Sequence, residues 1–329
     1  MNFFLKIFKF LPPEFAHSTS LNSLNLLYKL NLLNIFNKKI INKDELTLFG
    51  MKFRNKLGTA AGLDKNGDYI DALGALGFGF LEVGTVTPRP QLGNPKPRVF
   101  RNFHENSIIN RLGFNNKGID YMVNNLKKRK YDGVVGVNIG ANKSSEGIER
   151  INDYLLCIEK IHKLADYITI NISSPNTPDL RDLHLKENLQ NLITSVEKKI
   201  DEVKFTKPVF LKISPDETDE SIEMIVDLVN NSSFTGLIAT NTTIEKDNLS
   251  NKKLKKEAGG VSGQPLMEKS TNKILLIRSK CSDIPVIGVG GVMSKNDYIS
   301  KISAGADLVQ IYTGFIIKGP DLINEIIRD

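Results

Sequence analysis

The sequence predicts a (β/α)8 barrel preceded by a small N-terminal helical extension. Three observations carry that expectation. From Lys56 onward a short β-branched run, a loop rich in Gly, Asn and Thr, and a helical stretch follow one another eight times. Between most of these runs, as in Asn152–Ala165, Glu187–Lys199 and Ser221–Asn230, apolar residues recur at helical intervals. The first run leads into Ala61-Gly62-Leu63-Asp64-Lys65, not into the G-x-G-x-x-G that opens a doubly wound nucleotide-binding sheet.

Residues 1–45 differ from everything after them, and the expected division is 1–45 and 46–329. Phe4, Ile7, Phe8 and Leu11 lie at helical spacing, with Lys6 and Lys9 breaking the apolar run. Pro12 and Pro13 are expected to end that helix. A second run, Leu21 to Phe36, has Leu and Ile at helical intervals with Asn or Lys between. Neither segment reaches the ~18 consecutive apolar residues of a membrane span. Lys6 and Lys9 interrupt what would be a signal-peptide core, and no small-residue cleavage site follows. Helices with Phe on one side and Lys on the other suit an interfacial anchor. A helical hairpin packed on its own domain is the other reading.

The eight strands are expected around Leu57–Ala61, Phe80–Thr85, Val134–Ile139, Tyr167–Ile172, Val209–Ile213, Leu237–Thr240, Val286–Val289 and Leu308–Tyr312. Two spacings are too long for a simple unit. Pro88–Lys130 follows the second strand and Asn241–Pro265 the sixth. Long inserts at the C-terminal ends of barrel strands cover or build the site.

Composition narrows the chemistry. With 40% hydrophobic and 25% charged residues, the 329-residue chain has an ordinary core. Cys157 and Cys281 are too few for a disulfide framework and fit a reducing compartment. The four histidines, His17, His104, His162 and His184, form no metal-ligand spacing, so no metal site is expected. The net charge of +7 comes from scattered lysines with clusters at Lys127–Lys130 and Lys252–Lys256. Neither cluster is interleaved with aromatics, which argues for solvated helix ends and against a nucleic-acid partner.

The loops after the strands hold the chemistry. Asp166–Pro178, DYITINISSPNTP, starts as a buried strand and turns abruptly into Asn171, Ser173, Ser174, Pro175, Asn176 and Thr177. Uncharged hydroxyls and amides at a strand end can grip a planar polar ring; a plain Ser/Pro/Asn turn is the bland alternative. The same place is taken by Lys65 in AAGLDKNG, by Thr85, by Asn138, by Lys212 in FLKISPD and by Thr240-Asn241-Thr242. NRLGFNN, Asn110–Asn116, gathers amides around Arg111. VIGVGGVMS at the seventh unit, Tyr312-Thr313-Gly314 at the eighth and GGVSGQPL at Gly259–Leu266 supply glycine-rich backbone for a phosphate. A phosphate, a large planar group near Lys212 and Lys65, and a small polar ring near the asparagines fit a flavin mononucleotide with a heterocyclic substrate. A lysine at a flavin's pyrimidine edge stabilises the charge gained on reduction. Only Ser173 and Ser174 are candidate bases in the 171–177 set, and a serine base needs a dry, closed loop.

Together AAGLDKNG, GTVTPRPQ, NRLGFNN, NISSPNTP, ATNTT, GGVSGQPL, IGVGG and QIYTGF resemble dihydroorotate dehydrogenase, specifically its class 2, quinone-linked and membrane-associated form. PPEFAH at Pro12–His17 extends the resemblance into the N-terminal segment. It implies oxidation of (S)-dihydroorotate to orotate in pyrimidine synthesis, with electrons passing through FMN to a membrane quinone. Ser174 is implied as the base for the C5 proton, the C6 hydride going to flavin N5; soluble class 1 members have cysteine there and lack the extension. The substrate set implied is Lys65, Asn110, Arg111, Leu112, Gly113, Phe114, Asn171, Asn176, Asn241 and Thr242. The FMN set is Ala61, Gly62, Leu63, Asp64, Lys65, Thr85, Asn138, Asn171, Lys212 and Thr240, with Gly263, Gly291, Tyr312 and Thr313 at the phosphate. Quinone entry is implied near His17 and Arg101, and residues 1–45 are expected on the membrane surface at the cytoplasmic face of the inner membrane. The alternatives are another FMN barrel oxidoreductase, a flavin-free phosphate-binding barrel lyase or isomerase, and a non-catalytic membrane-surface protein.

Overall fold

Side chains alternate across a strand, so each barrel strand sends every second residue inward. In the computed structural model, which describes residues 10–33, 45–177 and 180–328, this parity sorts the core into two parts. The strands are β1 (Leu46–Leu48), β2 (Met51–Phe53), β3 (Leu57–Thr59), β4 (Phe80–Val86), β5 (Val99–Asn102), β6 (Ser107–Asn110), β7 (Val134–Ile139), β8 (Tyr167–Asn171), β9 (Val209–Ile213), β10 (Gly236–Ala239), β11 (Gly260–Gly263), β12 (Val286–Val289) and β13 (Leu308–Ile311). Eight of them, β3-β4-β7-β8-β9-β10-β12-β13, close a parallel barrel in that order, with β13 pairing back onto β3. All eight overlap the runs expected from sequence, within a residue or two at their ends. Outward residues such as Leu81, Val83, Val135, Ile168 and Ile170 pack against the surrounding helices.

Inward residues form layers. At the N-terminal end Phe80, Tyr167, Phe210, Ile238 and Ile287 make an apolar floor. The hairpin β1–β2 seals it from below: Phe53 meets Phe80 edge-on at 5.5 Å, and Phe49 meets Phe210 at 5.6 Å. Two residues further along the strands the interior becomes polar, with Glu82, Asn138, Thr169, Lys212 and Gln310 all buried.

The inserts add structure that periodicity did not reveal. β5 and β6 from the first and β11 from the second make a separate antiparallel sheet, which sets Asn110 opposite Gly260. Gly260 must lack a side chain, because a Cβ there would lie 2.0 Å from Thr242 Oγ1.

The N-terminal region departs from expectation. One helix runs Pro13–Lys29, starting where a helix was expected to end and stopping short of Phe36. Pro13 sits in its first turn, where a missing N–H costs nothing. Asn31, at φ 57, turns the chain out of the helix. The helix buries Ala16 and Leu21 and leaves Phe15, Leu26 and Leu30 exposed. Glu14 fastens its start to the first insert through Arg98, at 2.8 Å. The candidate helix through Phe4–Leu11 lies almost wholly outside the described residues, as do 34–44.

Candidate active site

The polar layer opens upward into one cleft, with about 990 Å³ of atom-free space. The strand-end loops converge there because parallel strands all point their C-terminal ends the same way. Lys65, Asn110, Leu112, Gly113, Phe114, Asn171, Ser174, Asn176, Asn241 and Thr242 line it. Ala61, Gly62, Thr85, Lys212, Thr240, Gly263, Gly291, Tyr312 and Thr313 line it too.

Four of the residues that the resemblance assigns to FMN or dihydroorotate do not line the cleft. Leu63 is core. Asp64 lies under its loop and accepts from the backbone N–H groups of Asn66, Asp68 and Tyr69 at 3.3, 2.9 and 2.7 Å. Burial raises its carboxyl to about 6, with those N–H groups pulling the other way. Asn138 lies beneath Thr85, whose Oγ1 donates to its Oδ1 at 2.6 Å. Arg111 turns its guanidinium outward to Glu257, Ala258 O and Pro97 O, at 2.8, 3.0 and 2.8 Å. His17 and Arg101 lie at the N-terminal helix. His17 bonds to the Leu63 backbone, and burial lowers its imidazole to about 4. Arg101 donates to Leu11 O and stacks over Phe103.

Ser174 is buried, and its Oγ accepts the Asn176 N–H at 3.2 Å. An N–H aimed at that oxygen favours the hydroxyl's electron-rich form. Asn176 reaches toward Asn110 Oδ1 at 3.5 Å, while Asn94 Nδ2 holds Asn176 O at 3.3 Å and Arg111 O at 3.0 Å. Arg181 secures the other side of this loop, donating to Ser173 O at 3.4 Å, Thr242 O at 3.3 Å and Asp216 at 3.0 Å.

Two cations serve the cleft. Burial lowers the Lys212 ammonium, Glu82 acting against the fall. Among the described residues Lys212 has no hydrogen-bonding or ion-pair partner. Burial lowers Lys65 to about 8; Glu14 and Asp64 oppose this and Arg98 adds to it. Also in the cleft lining, Gly263, Gly290 and Gly291 hold φ of 94, 119 and 84, and Thr313 Oγ1 donates to Ser262 Oγ at 2.8 Å. Gly291 has no room for a side chain, since its Cβ would lie 2.3 Å from Met267 Cα.

Sequence reasoning passed over Glu82 and Gln310, although a signal existed. Phe80-x-Glu82 and Leu308-x-Gln310 put a polar group two residues after an inward apolar one. Gln310 Oε1 is buried with no hydrogen-bond partner among the described residues, and Gln310 lines the cleft.

The family model of dihydroorotate dehydrogenase matches residues 44–329. The chain belongs to the dihydroorotate dehydrogenase family. It is 47% identical over 320 residues to the dihydroorotate dehydrogenase (quinone) of Saccharophagus degradans, covering 96% of this chain and 94% of that one. It is 48% identical over 329 residues to the protein of the same name from Buchnera aphidicola, covering 98% of each. The crystal structure of Eimeria tenella DHODH in complex with ferulenol superposes with a TM-score of 0.87 at 33% identity, over 96% of this chain and 89% of that one. Both of these relatives carry the name dihydroorotate dehydrogenase (quinone), and the motifs quoted above from AAGLDKNG to QIYTGF each contribute residues that line the cleft.

Proposed function

We propose that this cleft binds FMN and dihydroorotate face to face and that the chain hands electrons to a membrane quinone. The protein is a dihydroorotate dehydrogenase of the quinone type, oxidising (S)-dihydroorotate to orotate in de novo pyrimidine synthesis. One observation carries the finer reading: an uncharged hydroxyl, Ser174, shares a single cleft with four asparagines, two lysines and a glycine-walled end. The cleft fits FMN by its own chemistry, since Lys212 offers an ammonium without a partner among the described residues and the glycines of the lining offer bare backbone. Gly263, Gly291, Tyr312 and Thr313 would take the phosphate, and Ala61, Gly62, Thr85, Lys212 and Thr240 the ring system. Bound FMN supplies a two-electron acceptor for the substrate hydride and a relay to quinone.

The chain's own residues do the rest. Asn110, Asn171, Asn176, Asn241 and Thr242 present amides and hydroxyls to the pyrimidine, and Lys65 answers its carboxylate. Ser174 Oγ takes the C5 proton as C5 and C6 become doubly bonded. The Asn176 N–H steadies the oxygen, and the buried loop withholds the water that would blunt it. Residues 1–45 serve as the segment that meets the membrane surface, at the cytoplasmic face, with quinone entering near His17 and Arg101. The outward Phe15, Leu26 and Leu30 support that placement. No helix among the described residues is long and apolar enough to cross a membrane.

Dihydroorotate oxidation measured with quinone, fumarate and NAD as rival acceptors tests this. A yellow protein that turns over continuously with quinone and not with the other two is expected. A colourless protein, or one that prefers fumarate or NAD, refutes it. A pH series adds a second check. Lys65 carries its charge below about 8 and loses it above, so the dihydroorotate KM is expected to rise above pH 8, by about tenfold per pH unit at the steepest. A KM flat to pH 9.5, roughly the span over which such a lysine titrates, removes Lys65 from carboxylate binding.

A further inference from the structure

Beneath the cleft, one carboxylate collects four donors inside the barrel. Glu82, fully buried, accepts at Oε1 from Asn138 Nδ2 at 2.8 Å. At Oε2 it accepts from Gln310 Nε2 at 2.8 Å, Tyr167 OH at 3.0 Å and Thr169 Oγ1 at 3.1 Å. With Asn138 Nδ2 committed downward, its Oδ1 must face up, where it accepts from Thr85 Oγ1 at 2.6 Å and Asn171 Nδ2 at 3.1 Å. Asn171 Nδ2 also donates to Thr85 Oγ1 at 3.0 Å. Asn171 Oδ1 in turn accepts from Ser173 Oγ at 3.0 Å, and Ser173 Oγ accepts from Asn241 Nδ2 at 3.0 Å. Every donation in this chain runs toward Glu82. A chain polarised from a charged end strengthens each bond along it and removes the two-fold freedom of each amide. At the top, Asn241 Oδ1 accepts the Thr242 N–H at 2.8 Å, leaving the second N–H of the Asn241 amide for the cleft.

We infer that Glu82 is a positioning residue: by fixing the orientation of the Asn138 amide beneath the cleft it fixes which face of Asn171 and Asn241 meets the ligands, without touching a ligand itself. The inference rests on reading the cleft as the flavin and pyrimidine site. Lys212 lies in the same layer, and Glu82 opposes the loss of its charge.

The test is an exchange of the two groups in contact. In E82Q the amide that replaces the carboxylate must donate to one neighbour. Asn138 can answer by rotating its amide and reversing the ladder above, and if instead the Tyr167 or Thr169 hydroxyl or the Gln310 amide turns to accept, the charge that polarises the ladder is still gone. In the double variant E82Q/N138D, the carboxylate introduced at position 138 accepts both from the new amide at position 82 below and from Thr85 and Asn171 above, so the upper polarity returns. Orotate affinity, read from the flavin absorbance change, and flavin retained per chain are measured beside kcat, KM and Tm. E82Q is expected to lose about 10- to 100-fold in orotate affinity, the range for a mispaired buried donor. The double variant is expected to recover most of it. A residue with only a structural role would lower Tm and leave orotate affinity alone. Orotate affinity in E82Q within twofold of the parent overturns the inference, and so does a double variant no better than E82Q. If E82Q alone does not fold, N138D is the comparison: it sets two carboxylates in contact, and adding E82Q must restore flavin retention and orotate binding. A parent that is colourless or does not oxidise dihydroorotate fells the reading of the site as well; a working parent with indifferent variants fells this inference alone.

Discussion

Ser174→Ala is expected to cut kcat for dihydroorotate oxidation by about 10²–10⁴-fold, the usual contribution of a general base. Flavin content and orotate affinity should stay near those of the parent. The separation follows from where the hydroxyl sits. Its oxygen faces the cleft and accepts only the Asn176 N–H among the described residues, so removing it opens no network that holds the loop. The loop's position comes from elsewhere. Arg181 grips Ser173 O and Thr242 O, Asn94 grips Asn176 O, and Asp216 locks Arg181 while also accepting from Lys269 at 2.8 Å and the Ile244 N–H at 2.9 Å. A variant that keeps its yellow colour and reduces its flavin within a few-fold of the parental rate takes the base role away from Ser174. Stopped-flow reduction by dihydroorotate reads this step without involving quinone.

Deleting residues 1–45 is expected to remove quinone turnover while sparing flavin reduction by dihydroorotate. The loss should be about two orders of magnitude or more, the scale on which holding two partners together raises effective concentration. The helix Pro13–Lys29 presents Phe15 and Leu26 outward while His17 faces the Leu63 backbone, so one element carries both an exposed apolar face and a contact with the loop after β3. Its removal breaks the Glu14–Arg98 pair, yet Arg98 keeps Leu92 O at 2.6 Å and Asn94 O at 2.8 Å. The first insert, and with it Asn110, therefore stays in place. A soluble acceptor measured beside quinone separates the two half-reactions. Undiminished quinone turnover in the truncated protein refutes the placement of the quinone path.

The barrel was legible because its signal is local. Leu57, Phe80, Val134, Tyr167, Val209, Leu237, Val286 and Leu308 begin or lie within short apolar runs, and each barrel strand falls on one. The cleft residues were legible for the same reason: position just past a strand end is a sequence property, and parallel closure brings all such positions to one rim. β5, β6 and β11 were not legible: each has four residues, and what joins them into one sheet is the pairing of β6 with β11, far along the chain. The start of the N-terminal helix was misplaced because Pro13 can open a helix as readily as it closes one.

By itself the sequence determined the eightfold alternation, the glycine-rich loops that line the cleft and the uncharged loop around Ser174, because spacing along one chain suffices for each. It could not say that Asn138 lies under the cleft, that Arg111 faces away from it, or that Glu82 gathers donors from β7, β8 and β13. Those outcomes depend on which residues meet across the barrel, and only closure of the sheet, with its register between strands distant in sequence, brings them within hydrogen-bonding reach.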